Sequence, residues 1–351
     1  MEEHKNGKTA LITGASSGIG QELTRLFAKD GYNLVLVGRN QESLEQLASN
    51  FHNQYGTQTT ILTKDLANTS APEEIYAETQ QKSIQVDVLV NDAGFGEYGQ
   101  FATETDLQKE LSVIQVNATA LVHLTKLYLN DMVSRNEGKI LMLGSEVSVI
   151  PNPLMAVYGA TKAFIKSFSE AIRNEVKHTN VTITVLMPGA TNTNFFKVAG
   201  AENIKGADPQ KTASPADVAK EGYEALMQGK DHVVAGWMNK ARVAVAHILP
   251  DPLLAANVRR DMTPKDQAEE DQKNVITIAV LTGALVLGGL WLFSKKGGSL
   301  NLKSISAYDR ARYRHKAKAA GKSAKKTLET ASDAVKDTYK KAKTAVEEEL
   351  A

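Results

Sequence analysis

The sequence contains no cysteine among its 351 residues, which excludes disulfide bonds and metal sites built on thiolates. Its seven histidines do not cluster with carboxylates at metal-ligand spacing, so we expect no metal site and interpret His178, His232 and His247 as structural or surface residues. Residues 1–8 lack the apolar core of a signal peptide, so we expect the catalytic part to stay in the cytoplasm. With 42% hydrophobic residues, the chain can bury one substantial core and have a remainder.

A glycine-rich segment lies close to the amino terminus. The apolar run Ala10 to Ile12 is typical of a short buried strand, and Gln21 to Ala28 has helical spacing. Between them lie Gly14, Gly18 and Gly20, which let the chain turn tightly and bring a ligand close to its backbone. The free N–H groups at the start of the following helix favour a phosphate. Strand, glycines and helix in this order predict a dinucleotide site rather than a simple turn.

The next strand candidate, Asn33 to Val37, is followed by Gly38, Arg39 and Asn40. Dinucleotide folds that select NAD usually place an acidic residue at this position, where it binds the ribose hydroxyls. A guanidinium is instead suited to a 2′-phosphate, through paired hydrogen bonds. Although Arg39 could be an ordinary surface residue at a strand end, the sequence favours NADP(H).

A tyrosine and a lysine, Tyr158 and Lys162, are separated by one helical turn. An unperturbed tyrosine titrates near pH ~10. A neighbouring positive charge favours the phenolate, and we therefore expect Lys162 to lower the pKa of Tyr158. Such a phenol could exchange a proton with a carbonyl oxygen near neutral pH. The spacing is common by chance on helix surfaces, so the assignment depends on the other motifs.

One ordered set of motifs runs along the chain: Gly14-x-x-x-Gly18-x-Gly20, Asn91-Asp92-Ala93-Gly94, Asn117, Ser145, Tyr158-x-x-x-Lys162 and Pro188-Gly189. Together these motifs resemble those of the short-chain dehydrogenase/reductase family in its single-domain form. The resemblance covers about residues 5–262. One departure is Asp92, where the family more often has a second asparagine. Another is Gly144 before Ser145, where the family often has a second small polar residue.

The resemblance implies a role for each matching residue. Tyr158 would exchange a proton with the substrate oxygen, and Ser145 would hydrogen-bond that oxygen. Lys162 would lower the pKa of Tyr158 and hold the nicotinamide ribose, and Asn117 would hold a water that links Lys162 to solvent. The implied catalytic residues are Asn117, Ser145, Tyr158 and Lys162. The implied cofactor-binding residues are Gly14, Ser16, Ser17, Gly18, Ile19, Gly20, Arg39, Asn40, Asp65, Leu66, Asn91, Ala93, Gly94, Tyr158, Lys162, Pro188, Gly189, Thr191 and Thr193.

The predicted fold is an α/β domain with a doubly wound, Rossmann-like parallel sheet. Apolar runs near Thr60–Leu62, Val86–Val90, Gly138–Leu143 and Thr182–Leu186 are separated by helix-like segments, as crossover connections require. Residues 194–213 show little periodicity, and we interpret them as a mobile flap over the active site. Phe195 and Phe196 could line the pocket or belong to the core. Ser214, followed by Pro215, predicts the start of a helix.

Residues 275–293 contain no charged side chain over 19 positions. As a helix they would span roughly 28 Å, close to the hydrocarbon thickness of a bilayer. We therefore predict a transmembrane helix, with a buried core helix as the alternative. The predicted domains are a catalytic domain (1–262), a charged linker (263–274), the membrane segment (275–293) and a basic tail (294–351) that is helical or disordered.

The tail carries 15 basic and 7 acidic residues, which predicts that it faces the cytoplasm. A single span would then place the catalytic domain outside, away from its cofactor. Because the chain lacks a signal peptide, we expect the catalytic domain on the cytoplasmic side, and a re-entrant segment would satisfy both arguments.

The sequence therefore predicts a membrane-associated, NADP(H)-dependent oxidoreductase that reduces a carbonyl or oxidises a secondary alcohol. The membrane segment suggests a lipophilic substrate, and the resemblance implies a homodimer or homotetramer. No motif indicates nucleic acid. The alternative is a catalytically silent cofactor sensor or scaffold at the membrane, against which the complete set of catalytic residues argues.

Overall fold

A computed structural model describes residues 7–246 and 249–264, which form a parallel sheet covered by helices on both faces. The strand order is β3-β2-β1-β4-β5-β6-β7, and every pairing is parallel. The strands are β1 (Thr9–Thr13), β2 (Asn33–Gly38), β3 (Thr59–Thr63), β4 (Val88–Asn91), β5 (Gly138–Leu143), β6 (Val181–Met187) and β7 (His232–Val234). The predicted doubly wound α/β fold is confirmed.

The described α-helices are α1 (Gly18–Lys29), α2 (Gln41–Tyr55), α3 (Ala71–Gln81), α4 (Leu107–Ile114), α5 (Leu121–Ser134), α6 (Ala156–Glu175), α7 (Phe195–Val198), α8 (Pro215–Met227), α9 (Trp237–Ala246) and α10 (Asp251–Asp261). A π-helix, Gln115–Ala120, joins α4 to α5, and short 3₁₀ helices occupy Glu146–Ser148 and Lys205–Ala207. Helices α1, α2 and α8 pack on one face of the sheet, and α3, α5 and α6 pack on the other.

The central strands form because their apolar runs are buried on both faces, as a sheet covered by two helical layers requires. Residues Ala10, Leu11 and Ile12 are fully buried, and so are Val35 and Leu36. The sequence placed β1, β2, β3, β5 and β6 within one residue of their ends. Strand β4 begins at Val88 rather than at the predicted Val86. Strand β7 was missed, because three residues at a sheet edge give no periodic signal, and His232 lies in it.

In the sheet, β2 and β3 lie on one side of β1, and β4 to β7 lie on the other. The strand order therefore reverses between β1 and β4, which are neighbours in the sheet although two strands separate them in sequence. In doubly wound folds such a switch point opens a crevice at the carboxyl ends of the strands. The glycine-rich loop after β1 and the residues after β4 meet there, because Thr13 pairs with Asn91 in the register. The topology therefore places the two predicted nucleotide motifs side by side.

Residues 194–213 differ from the sequence interpretation. They contain helix α7 and a 3₁₀ turn, and they bury Ala199, Ala201 and Ile204 in a small apolar cluster with Met155 and Val258. The absence of periodicity reflects short helical turns rather than a segment without packing. Ser214 does precede α8, but its side chain makes no capping hydrogen bond.

No helix among the described residues is long and apolar enough to cross a bilayer. The predicted membrane segment 275–293 and the basic tail lie outside the described residues, as does most of the predicted linker.

Candidate active site

One cavity of about 760 Å³ runs along the carboxyl ends of the strands and contains most of the predicted site residues in its wall. These are Gly14, Ser16, Ser17, Gly18, Ile19, Arg39, Asp65, Leu66, Ala93, Gly94, Ser145, Tyr158, Pro188, Gly189, Thr191 and Thr193. Five other predicted residues, Gly20, Asn40, Asn91, Asn117 and Lys162, are not in the wall. The sequence motifs therefore meet in one cavity, and of the five other residues all but the exposed Asn40 are buried.

The glycine-rich loop bends sharply between β1 and α1. Gly14 and Gly18 adopt φ angles of +70° and +58°, which favour glycine because a Cβ atom would be strained there. Helix α1 begins at Gly18, so its first N–H groups are available to an anion in the cavity. A Cβ atom on Gly14 would also lie 3.0 Å from the backbone of Ala93. The loop thus has the shape and polarity of a phosphate site.

The loop after β4 is fixed to β1 by Thr13. Its hydroxyl accepts the backbone N–H groups of Asp92 and Ala93, each at 3.1 Å, and donates to the carbonyl of Val90. Behind this loop, the Asn91 amide donates to the Thr125 hydroxyl at 3.0 Å and so ties β4 to α5. Asn91 is buried and supports the wall rather than lining it.

Arg39 is exposed at the end of β2 and lines the cavity beside Asp65 and Leu66. It has no ion-pair partner within the described part of the chain. The side chain of Asp65 stabilises the turn after β3, because its Oδ1 accepts the N–H of Ala67 at 3.0 Å. Asn40 has a structural role, since its side chain accepts the N–H of Ser43 and caps helix α2.

Ser145, Tyr158 and Lys162 are brought together by the end of β5 and the first turns of α6. Tyr158 is half-buried in the cavity wall, and the Nζ of Lys162 lies 5.6 Å from the centre of its ring. Lys162 is buried and donates to the carbonyl of Leu143 at 2.7 Å. Ser145 begins the 3₁₀ turn Glu146–Ser148, and its hydroxyl accepts the N–H of Val147. This geometry suits proton exchange with a substrate oxygen held between the two hydroxyl groups.

Asn117 lies in the π-helix between α4 and α5 and is fully buried. Its Oδ1 accepts the N–H of Phe95 at 3.1 Å, and its Nδ2 donates to the carbonyl of Phe95 at 2.9 Å. A π-helical turn often occurs at a functional site. Here it directs Asn117 inward towards α6, where Nδ2 also reaches the Thr161 hydroxyl at 3.2 Å.

The electrostatics of the site correct one prediction. We expected Lys162 to lower the pKa of Tyr158, but burial raises the pKa of Tyr158 above its ordinary value, and the hydrogen bond with Ser145 opposes this only in part. Burial also lowers the pKa of Lys162 to about 8, while the Asp92 carboxylate acts in the opposite direction. Loss of hydration is thus the dominant influence on both groups.

Comparison with known proteins now identifies the family. The profile described as short chain dehydrogenase matches residues 8–203, more than half of the chain. The chain belongs to this family. The predicted enzyme class is confirmed: the protein is an oxidoreductase that acts on alcohol or carbonyl groups of small molecules.

The chain is similar to several named members of the short-chain dehydrogenase family. It is 30% identical over 240 residues to very-long-chain 3-oxoacyl-CoA reductase of Anas platyrhynchos, covering 66% of this chain and 75% of the relative. It is 35% identical over 199 residues to NADP-dependent 3-hydroxy acid dehydrogenase YdfG of Escherichia coli strain K12, covering 56% and 77%. Among solved structures, a short-chain dehydrogenase of Sphingobium yanoikuyae in complex with NADPH matches with a TM-score of 0.60 at 26% identity, covering 69% of this chain and 96% of that one.

Within this family fold, the structure adds residues that sequence reasoning did not place in the site. Asp92 was noted only as a departure from the family, yet it is buried, lines the cavity and has a pKa raised to about 7 by burial. Glu146, Arg242 and Asp261 also line the cavity. Arg242 and Asp261 lie far along the chain from every motif, so no local signal could have assigned them.

Proposed function

We propose that the protein is an NADP(H)-dependent reductase of a lipophilic carbonyl compound, or a dehydrogenase of the corresponding secondary alcohol. The proposal rests on one observation. A single continuous cavity has Arg39 and the glycine-rich loop at one end, and Ser145 and Tyr158 at the other. The cavity can therefore accept a dinucleotide and leave its nicotinamide end beside the two hydroxyl groups.

The residues present fit the cofactor. The loop from Gly14 to Ile19 would hold the pyrophosphate, since glycines with positive φ and the start of α1 face the cavity. Lys162 lies behind the cavity wall, and its Nζ would turn from the carbonyl of Leu143 towards the cavity to hold the nicotinamide ribose. The segment from Pro188 to Thr193 would contact the carboxamide. When bound, the nicotinamide supplies or accepts the hydride.

The chemical step assigned to the protein is proton exchange at the substrate oxygen. In reduction, Ser145 would hold the carbonyl oxygen, and Tyr158 would donate its proton to that oxygen. In oxidation, Tyr158 would accept the proton. Burial raises the pKa of Tyr158, so its hydroxyl stays protonated at neutral pH, which favours the donor role in reduction. Asn117 would support a proton supply towards Lys162.

The preference for NADP(H) over NAD is assigned to Arg39. Its guanidinium is exposed on the cavity wall, where the ribose of a bound nucleotide would lie at the end of β2. Two of the similar proteins named above are described with NADP or NADPH. The position of Arg39 and the two similar proteins both support NADP(H) as the cofactor.

We expect Arg39→Gln to weaken NADPH binding by about tenfold to a hundredfold and to leave NADH binding nearly unchanged. The reason is that a charge-assisted contact with the 2′-phosphate contributes roughly 1.5–3 kcal/mol, and NADH has no such phosphate. Fluorescence titrations of the wild-type protein and the variant with NADPH and NADH measure the four dissociation constants. An equal loss for both cofactors would contradict the role given to Arg39. Failure of either cofactor to bind the folded wild-type protein would contradict the proposed function.

A pH dependence follows from the buried pair of Lys162 and Asp92. Reduction is expected to fall as the pH rises through about 8, because Lys162, whose pKa lies near 8, then loses its positive charge. In Asp92→Asn the carboxylate that raises the pKa of Lys162 is removed, so the fall should occur at lower pH. Profiles of kcat/KM for NADPH between about pH 6 and about pH 10 make the comparison. Superimposable profiles would show that Lys162 does not control this limb.

The lipophilic character of the substrate is supported by the catalytic end of the cavity. Its apolar side chains are Ile150, Met155, Phe195, Phe196, Val198, Val258 and Met262. The centre of the Phe195 ring lies 4.9 Å from that of the Tyr158 ring, so an apolar side chain adjoins the group assigned to proton transfer. Shortening the chain after Lys273 and comparing short hydrophilic carbonyls with fatty acyl ketones tests this assignment. It would be withdrawn if only the hydrophilic compounds were reduced.

Membrane association through residues 275–293, with the catalytic domain (1–262) on the cytoplasmic side, remains part of the proposal. Its support is the uncharged run itself and the linker and basic tail that flank it. Cosedimentation of the full chain with phospholipid vesicles, compared with the chain shortened after Lys273, tests it. Equal recovery of both in the supernatant would contradict it.

We also propose a homodimer or homotetramer. Ile114 and Phe164 are about two-fifths exposed and contribute, with Val122 and Val157, to an apolar groove between the π-helical connection and α6. A second copy of the chain would cover this surface. Light scattering on the chain shortened after Lys273 measures the assembly without the membrane segment, and a monomer at micromolar concentration would contradict the proposal.

A further inference from the structure

One face of helix α9 exposes apolar side chains to solvent. Trp237 and Met238, in its first turn, are 77% and 57% exposed. Ala241 and Ala244 are exposed as well. Residues three or four positions apart are neighbours on a helix surface, so these four side chains form one continuous surface, which we call the α9 face. A partner that removed this apolar area from water would be held by the hydrophobic effect.

The surroundings of the α9 face are basic. Helices α7 and α10 and the short turn after α7 pack with α9 around one apolar cluster. The two segments that contain these elements, residues 195–207 and 237–264, carry six basic and three acidic side chains. Three of the basic ones, Lys197, Lys205 and Arg259, have no ion-pair partner within the described part of the chain. An exposed apolar face with cations on the adjoining elements suits an anionic phospholipid surface, to which each Lys or Arg adds attraction.

The α9 face also lies close to the end of the described chain. Arg242 of α9 contacts Asp261 at 3.5 Å, and the described residues end three positions later, at Pro264. The uncharged run begins at Val275. Because an extended chain advances at most ~3.6 Å per residue, residues 265–274 cannot place the start of that run more than ~40 Å from Pro264. A bilayer that holds the run therefore lies within reach of α9, which favours a lipid surface as the occupant of the face.

The same face adjoins the substrate end of the cavity. Arg242 belongs to α9 and also lines the cavity, where its Nη1 lies 3.4 Å from Oε1 of Glu146. Val198 lines the cavity as well and is 53% exposed, so the cavity reaches the surface at α7. A compound dissolved in the bilayer would meet the apolar end of the cavity if α9 rested on the membrane.

We infer that the α9 face rests on the surface of an anionic phospholipid bilayer, where it forms a second membrane contact beside residues 275–293. Trp237 would lie at the level of the headgroups, as interfacial tryptophans do, and the nearby cations would contact lipid phosphates. The contact would hold the substrate end of the cavity at the membrane. The inference rests on the proposed membrane association.

The two tryptophans of the chain provide a direct test, because Trp291→Leu leaves Trp237 as the only one and keeps residues 275–293 apolar. The full chain with this substitution is reconstituted with vesicles of phosphatidylcholine and phosphatidylserine, whose acyl chains are either plain or brominated close to the headgroup. We expect the brominated lipid to remove about half of the Trp237 emission, since an interfacial side chain lies about 5–10 Å into the boundary of headgroups and acyl chains. Unchanged emission would overturn the inference.

Val133 provides the matched control position. It is 38% exposed near the end of α5, which leads into the amino end of β5, so it lies at the amino ends of the strands, opposite the cavity. A tryptophan introduced by Val133→Trp, in the full chain with Trp237→Phe and Trp291→Leu, should keep its emission in brominated vesicles. Equal quenching at both positions would show non-specific burial in lipid and would overturn the inference. So would a shift of the Trp237 emission that depends on protein concentration and not on lipid, because a second copy of the chain would then cover the face.

Cosedimentation with the vesicles separates this inference from the proposed function. If the full chain stayed in the supernatant, the proposed membrane association would fail, and the inference with it. If the full chain cosedimented and Trp237 kept its emission in brominated vesicles, only the α9 contact would be overturned.

Met238→Glu is a second variant, which leaves both tryptophans in place and puts a negative charge on the α9 face. We expect it to lower kcat/KM about fivefold or more for a fatty acyl ketone dissolved in anionic vesicles, because the introduced charge repels anionic lipid. The value for a short water-soluble ketone should stay unchanged. An unchanged value for the ketone in vesicles, or an equal loss for both ketones, would overturn the role given to the face. No reduction of either ketone by the wild type would instead contradict the reductase function and leave the fluorescence result standing.

Discussion

Tyr158→Phe is expected to lower kcat for carbonyl reduction by about a hundredfold to ten-thousandfold, the usual contribution of a general acid. The substitution removes only the hydroxyl that would donate the proton. The phenyl ring can still pack on Phe195, whose ring centre lies 4.9 Å away, so the shape of the cavity should be kept. Steady-state rates with NADPH and a fatty acyl ketone measure the loss.

The control is cofactor affinity. Tyr158→Phe should bind NADPH nearly as tightly as wild type, because the principal contacts with the phosphates are assigned to the glycine-rich loop and to Arg39. An enzyme that keeps its rate after this substitution would not use Tyr158 as the acid. If the biological function also survived the loss of turnover, the cofactor-sensor or scaffold alternative would be the better description of the protein.

The raised pKa of Tyr158 also predicts which direction of the reaction is favoured at neutral pH. A phenol whose pKa is raised by burial remains protonated in the free protein, and the buried Lys162 is charged only below about pH 8. A proton donor is therefore ready at neutral pH, whereas a proton acceptor would require a phenolate. The arrangement favours reduction near neutrality and oxidation at higher pH.

Much of the fold could be predicted because its signals are local. Strands such as β1 and β2 are buried on both faces and appear in the sequence as short apolar runs. Strand β7 and helix α7 have three and four residues, too few for a periodic pattern to develop. Their formation depends on pairing with β6 and on packing against the apolar cluster around Met155, which the sequence does not display.

The residues of the site also divide into those that local motifs reveal and those that depend on long-range packing. Ser16, Ser145 and Thr191 could be placed in one cavity because each follows a strand of a parallel sheet, and the carboxyl ends of such strands meet. The contact of Arg242 with Glu146 could not be predicted, because it depends on how α9 packs against the 3₁₀ turn Glu146–Ser148. Asn117 was assigned by resemblance, but its π-helical setting and its bonds to Phe95 are visible only in the structure. Local motifs define the reacting groups, and long-range packing defines what surrounds them.

Gly20 provides the second large effect, on stability. It lies in the first turn of α1 and is buried between Asp92 and the backbone of Gly14. A Cβ atom at this position would overlap both the Oδ2 atom of Asp92 and the carbonyl oxygen of Gly14. The carbonyl of Gly14 cannot move without displacing the glycine-rich loop, whereas the hydrogen bond to Thr13 fixes the backbone N–H of Asp92 and not its carboxylate.

We therefore expect Gly20→Ala to lower the free energy of unfolding by about 1–3 kcal/mol, the usual cost of inserting a methyl group into a packed site. This sign is opposite to that of an ordinary glycine-to-alanine change within a helix, which stabilises by about 0.5–1 kcal/mol. Urea denaturation of the chain shortened after Lys273 measures the change. NADPH affinity should fall as well, because the displaced loop is the one assigned to the pyrophosphate.

Gly38→Ala is the matched control, since a Cβ atom there would lie 3.5 Å from the methyl groups of Leu44, an ordinary van der Waals distance. Its unfolding midpoint should stay close to that of wild type. If Gly20→Ala were as stable as Gly38→Ala, Asp92 would be free to move away at little cost. Its buried carboxyl would then be a tolerated departure from the family's asparagine rather than part of the wall that holds the cofactor loop in place.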